Sequence, residues 1–149
     1  MNKVLWVLDT NVVLDLFHFD DAVARPLRQA FDAGALCCAV SPATLAEWRR
    51  VLGYPEFGLD AAAQATLYAR YADGVQVLSG GVPPVRLPRC RDVDDQKFLE
   101  LAAAGAEVLV SKDRALLSLA SRRGLGFRIL SPAQAAAVLA NADFNPAFA

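Results

Sequence analysis

Four acidic residues occupy positions from which they could act together: Asp9, Glu47, Asp95 and Asp113. Asp9 ends an unbroken apolar run, Val4 to Leu8, and Asp113 follows Val108-Leu109-Val110 after two polar residues, Ser111 and Lys112. Glu47 stands early in a segment opened by Ser41-Pro42, and Asp95 closes the run Asp92-Val93-Asp94-Asp95. Carboxylates with no histidine or cysteine among them form a hard, oxygen-only ligand set, suited to Mg²⁺ or Mn²⁺ rather than zinc. Without a cation such a set repels itself, so its pKa values should stand above the ordinary carboxylate range.

Each acid also has a plainer explanation. Asp9 and Asp113 could cap the helices that follow them, although Asn11 is placed to cap in place of Asp9. On a helix, Asp95 shares a face with Phe98, Leu99 and Ala102. A carboxylate on such an apolar stripe is costly unless paired or bound to metal. Helix-start chemistry, with Asp92 as cap, accounts for one or two acids but not three in four residues. Asp95 is the first choice of this group, with Asp94, at the stripe's margin, as an additional metal ligand. Glu47 lies nearly opposite its own helix's stripe of Leu45, Trp48 and Leu52, and periodicity alone favours a solvated side chain.

The chain that must position these residues has 149 residues, the size of one domain, and 55% of them are hydrophobic. Net charge is −1, which excludes a strongly basic coat for nucleic acid and leaves room for a local site. The 15 basic residues include only three lysines, Lys3, Lys97 and Lys112. Cys37, Cys38 and Cys90 form no CxxC pair, and His18 is the single histidine, so neither a zinc site nor a Ser-His-Asp set can be assembled. No run approaches the ~20 apolar residues of a membrane span. The opening apolar run is too short for a signal peptide, so a cytoplasmic location is expected.

Short apolar runs alternate with amphipathic stretches, the pattern of an α/β fold with a mostly parallel sheet. Strands are predicted at Val4–Leu8, Ala35–Val40, Val75–Leu78, Val108–Val110 and Phe127–Leu130. Helices are predicted at Val12–Phe19, Asp21–Ala33, Pro42–Leu52 with Ser41 as cap, from the cap Asp60 to Tyr71, Asp92 or Val93 to Ala104, Arg114–Arg123 and after Ser131-Pro132. Gly80 to Pro88 reads as a loop and the residues after Asn141 as a loose tail. Function in such sheets sits beyond the carboxyl ends of the strands, where Asp9, Glu47 and Asp113 fall.

With these residues in view, the chain resembles bacterial PIN domains. Leu8-Asp9-Thr10-Asn11-Val12-Val13, Ser41-Pro42 with Glu47-Trp48-Arg49-Arg50-Val51-Leu52, and Tyr54-Pro55-Glu56-Phe57 resemble the family's first half. Cys90 to Ala102 resembles its later acidic motif, and Val108 to Leu117 its last. The ordered match runs from about Val4 to Pro132 and looks most like the VapC-like ribonuclease branch, the toxins of type II toxin–antitoxin systems. The resemblance implies one PIN-like domain over residues 1–149, a three-layer α/β/α sandwich with a central sheet of about five strands. It implies a metal-dependent endoribonuclease using Mg²⁺ or Mn²⁺, and a cognate antitoxin partner. It assigns catalysis and metal binding to Asp9, Glu47, Asp95 and Asp113, which raises Glu47 above its standing by periodicity. Asn11 and Ser111 fall at polar positions that would orient the ligands. Lys112 stands where Gly is frequent, Val93 where Pro is common, and Ala115 where a second Asp is usual. The lost acid weakens the case for a second metal.

Arg49, Arg91, Lys112 and Arg114 flank the acidic motifs and are candidate contacts for RNA phosphates, though exposed Arg more often belongs to a solvated face. Trp48, Leu67 and Tyr68 would suit a homodimer face or a core equally. A phosphatase of the HAD type also starts with a strand and an Asp, but needs a second Asp where Asn11 stands. The other rival is a PIN-like module that binds RNA or protein without cutting.

Overall fold

Five parallel strands form one sheet in the order β3-β2-β1-β4-β5. They are β1 (Leu5–Leu8), β2 (Cys37–Val40), β3 (Gln76–Val77), β4 (Val108–Val110) and β5 (Arg128–Leu130). The computed structural model describes residues 4–79 and 86–141. Registers such as Trp6 beside Val108 and Val110 beside Leu130 bring the carboxyl ends of β1, β4 and β5 to one edge.

Strand side chains alternate between the two faces of a sheet, and here both faces are covered. Trp6, Leu8, Cys38, Val40, Val108 and Val110 enter a core shared with helices α1 (Thr10–Phe17), α2 (Arg25–Asp32), α3 (Pro42–Leu52), α4 (Ala61–Ala72) and α7 (Pro132–Asn141). Leu5, Val7, Ala39, Leu109 and Ile129 pack on the other side against α5 (Gln96–Gly105) and α6 (Arg114–Leu117). Burial on both faces explains why the strands read as continuous apolar runs. The result is the three-layer α/β/α sandwich. Trp48 is 1% exposed, so it serves the core and not an intersubunit face, and its Nε1 donates to the Tyr68 carbonyl on α4.

Local chemistry sets the helix ends. Ser41 caps α3 in a reciprocal box with Thr44, and Ser131 does the same with Gln134 at α7. Helix α1 starts at Thr10, two residues ahead of the expected Val12, because Asp9 itself is the cap. Helix α2 begins only at Arg25, since Pro26 lacks an N–H and suits a first turn. The acidic run forms a separate 3-10 turn, Val93–Asp95, before α5. Helix α6 ends at Leu117, well short of the expected Arg123. There the Ser118 hydroxyl takes the Ala115 carbonyl, and the Leu119 amide turns to Leu116, so the helical ladder is lost. Gly124 and Gly126, at φ 80° and 79°, then turn the chain into β5. Residues 80–85 of the expected loop and the expected tail after Asn141 lie outside the described residues.

Candidate metal centre

The sheet order reverses at β1, whose neighbours β2 and β4 lead off in opposite directions, and clefts open at such switch points. A cleft of about 190 Å³ lies there, lined by Asp9, Thr10, Asn11, Glu47, Val51, Asp92, Asp95, Phe98 and Asp113. All four acids singled out in the sequence therefore share one cavity.

Asp9 is 3% exposed at the end of β1. Its Oδ1 accepts from the Val12 amide at 3.0 Å, and its Oδ2 accepts from the Ser111 hydroxyl. Burial pushes its carboxyl up to about 6 against those two hydrogen bonds. The expected Asn11 cap is thus corrected: Asn11 is exposed on α1, lines the cleft, and makes no side-chain hydrogen bond among the described residues. Ser111 is fully buried after β4, and its hydroxyl also accepts from the Asp113 amide at 2.9 Å. Asp113 in turn caps α6, its Oδ1 accepting from Ala115 at 2.7 Å.

Asp95 reaches the cleft from the 3-10 turn. Burial, then the facing Asp113, then Asp92 and Asp9 push its carboxyl up to about 8. The facing Asp95 carboxyl holds Asp113 below its usual value, with the Ala115 amide assisting. Asp95 Oδ2 is buried and meets no donor among the described residues. One carboxylate oxygen from each of Asp92, Asp95 and Asp113 lies within 4.8 Å of the others. An orphaned buried oxygen beside gathered carboxylates, with no nitrogen or sulfur ligand on the cleft wall, fits a hard divalent cation.

Asp94 does not join them: it is exposed, and its carbonyl accepts from Lys97. Asp92, expected only as the cap, lies beside Asp95 and Asp113 instead. Glu47 is not solvated as periodicity favoured, for its side chain is only 14% exposed. Thr10 donates to its Oε2, Lys97 Nζ lies 2.7 Å from its Oε1, and Arg50 stands at 3.8 Å. Thr10 and Lys97 escaped the sequence reading. Thr10 adjoins Asp9 and was findable as a hydroxyl in the motif, whereas nothing local links Lys97 to Glu47.

The candidate phosphate contacts divide. The positive charges of Arg91 and Lys112 act on Asp113 and Asp9 respectively, lowering their pKa values. Arg49 instead lies 4.1 Å over the Tyr68 ring, in a groove toward α4, while Arg114 is exposed at the start of α6. Lys112 is also ion-paired to Asp15 at 2.7 Å.

A parallel α/β/α sandwich with carboxylates gathered at its switch point defines an acidic, metal-type cleft. The chain belongs to the PIN domain family: that family's model matches residues 6–115. PIN domains are in general nucleases and usually bind divalent metal ions. Two solved structures share the fold. The protein PAE2754 from Pyrobaculum aerophilum is 19% identical, with a TM-score of 0.58 over 93% of this chain and 90% of that one. VapBC2 from Rickettsia felis, bound to a DNA fragment from its promoter, is 12% identical, with a TM-score of 0.57 over 86% of this chain and 98% of that one. No curated protein matches the sequence. Among the described residues, no helix is long and apolar enough to cross a membrane.

Proposed function

We propose that this protein is a Mg²⁺- or Mn²⁺-dependent endoribonuclease, the toxin of a toxin–antitoxin pair, acting in the cytoplasm as a single domain. The observation that carries the reading is the buried, unpartnered Asp95 oxygen beside Asp92 and Asp113. Asp9, Asp95 and Asp113 would hold the ion, with Asp92 beside them and Glu47 across the cleft. Bound metal would acidify a water and neutralise charge developing on the scissile phosphate.

The protein's own residues do the rest. Ser111 fixes Asp9 and Thr10 fixes Glu47, so these carboxylates are set before substrate arrives, while Lys97 offsets the Glu47 charge. Phe98 and Val51 form the apolar part of the cleft wall. A carboxylate not engaged by metal would accept the proton of the attacking water as its oxygen bonds to phosphorus, and the ribose oxygen would leave with the electron pair of the broken P–O bond and take up a proton from solvent. Arg91 and Arg114 would meet flanking phosphates.

In the direct test, protein stripped with EDTA leaves an RNA oligonucleotide whole and cuts it once Mn²⁺ is added. RNA that stays whole in excess Mn²⁺ overturns the nuclease reading. The toxin role rests on the PIN family and on the VapBC2 neighbour, which is a two-component assembly by name. A product of the adjoining reading frame that binds this chain and suppresses cleavage supports it, and one that does neither sinks it. A homodimer through α3 and α4, near Leu67 and Tyr68, belongs to the same proposal.

One observation favours a second reading, a module that binds RNA or protein without cutting. Both Glu47 oxygens already have donors, and Ala115 offers no acid. Mn²⁺-dependent RNA binding without cleavage would select it.

A further inference from the structure

Asp15 is a buried carboxylate for which the proposed chemistry has no use. It lies on α1, six residues beyond Asp9, among Val12, Val13, Leu14, Leu16 and Phe17, all buried. An isolated charge in such a place is costly. Its partner is Lys112, whose Nζ lies 2.7 Å from Asp15 Oδ2, and among the described residues no other cation pairs with it.

Lys112 belongs to the segment between β4 and α6, flanked by Ser111 and Asp113. Ser111 ties this segment to Asp9, the first residue of the α1 cap, and Lys112 ties it to Asp15, further along the same helix. Two attachments at separate points along α1 fix position and direction, where a single hydrogen bond would leave a pivot. We propose that Lys112 is a positioning residue: its ion pair with Asp15 clamps the Asp113 segment onto α1 and so sets the Asp9–Asp113 spacing across the metal cleft. This inference rests on the metal-binding reading of that cleft.

Charge must be separated from position, because the Lys112 ammonium also acts on Asp9. Removing Lys112 alone deletes a positive charge near the acids, which favours a cation, while loosening the segment disfavours it. The double variant Lys112→Met/Asp15→Asn removes one charge of each sign and leaves no unpaired buried carboxylate. It should fold with near-parental stability, yet bind Mn²⁺ about 10- to 100-fold more weakly by titration calorimetry, the range expected for lost support of a ligand. Lys112→Arg, which keeps the pair, should retain parental affinity. A double variant that binds Mn²⁺ as the parent does overturns the clamp and leaves the cleft assignment standing. A parent that binds no Mn²⁺ overturns the cleft assignment and the clamp with it.

Discussion

The Ser111 hydroxyl donates to the Asp9 carboxylate, joining residues 102 apart in sequence at the ends of adjacent parallel strands. The same oxygen accepts from the Asp113 amide, so one hydroxyl connects two acids of the cleft. Ser111→Ala should cost about 1–3 kcal/mol, because a buried acceptor and an amide lose their partner. It should also weaken Mn²⁺ binding roughly 10-fold or more. Urea unfolding and titration calorimetry measure the two effects separately.

The acid cluster makes the metal-free protein sensitive to alkali. Asp9 and Asp95 stand above their ordinary value of 3.8, at about 6 and about 8. Across that interval the folded state holds more protons than the unfolded chain, so stability is fullest near pH 4 and falls as pH rises toward 8. Asp9 alone contributes on the order of 3 kcal/mol to the fall. Asp113, held low, acts in the opposite sense, and its contribution disappears only as pH drops through its folded pKa. Thermal unfolding in EDTA should therefore give a lower Tm at pH 8 than at pH 5. Asp95→Asn should reduce that slope and raise Tm at pH 8.

Lys97 should respond in the reverse direction from Ser111. It neutralises Glu47 at 2.7 Å, so Lys97→Met leaves a mostly buried carboxylate with only the more distant Arg50, at 3.8 Å, as a cation. We expect a stability loss of about 1.5–3 kcal/mol, the range for hydrogen bonds to charged groups, together with tighter Mn²⁺ binding. A variant that binds Mn²⁺ more weakly would show that Lys97 supports the site through geometry rather than opposing it through charge.

The strands and the first and last acids were legible because both depend on local signals. A buried parallel strand is a continuous apolar run; Asp9 follows one such run directly and Asp113 follows another after two polar residues. The Ser-Pro starts of α3 and α7 are equally local. Asp92 caps the acidic run as its local sequence suggests, but the run folds as a 3-10 turn, whose three-residue repeat changes which side chains align, so periodicity at 3.6 residues does not report its approach to Asp95 and Asp113. At the early end of α6 the Ser118 hydroxyl takes the Ala115 carbonyl, and no periodicity reports that contact. The ion pairs Lys97–Glu47 and Lys112–Asp15 join segments far apart in the chain, so residue type alone could not reveal them. Glu47 shows the same limit from the other side. Its helix wheel points it toward solvent, while α5 and Thr10 enclose it.

Asp95 offers the most direct test of the metal-dependent nuclease, because among the described residues it is the cleft acid with a buried oxygen left without a donor. Cleavage of a single-stranded RNA by the parent and by Asp95→Asn should be compared in Mn²⁺, with circular dichroism verifying that both are folded. The parent should cut, and the variant should lose at least 100-fold in rate, on the order of the 10²–10³-fold loss seen when one transition-state-stabilising group is removed. Equal cleavage by the two folded proteins would contradict the assignment of this cleft as the catalytic centre.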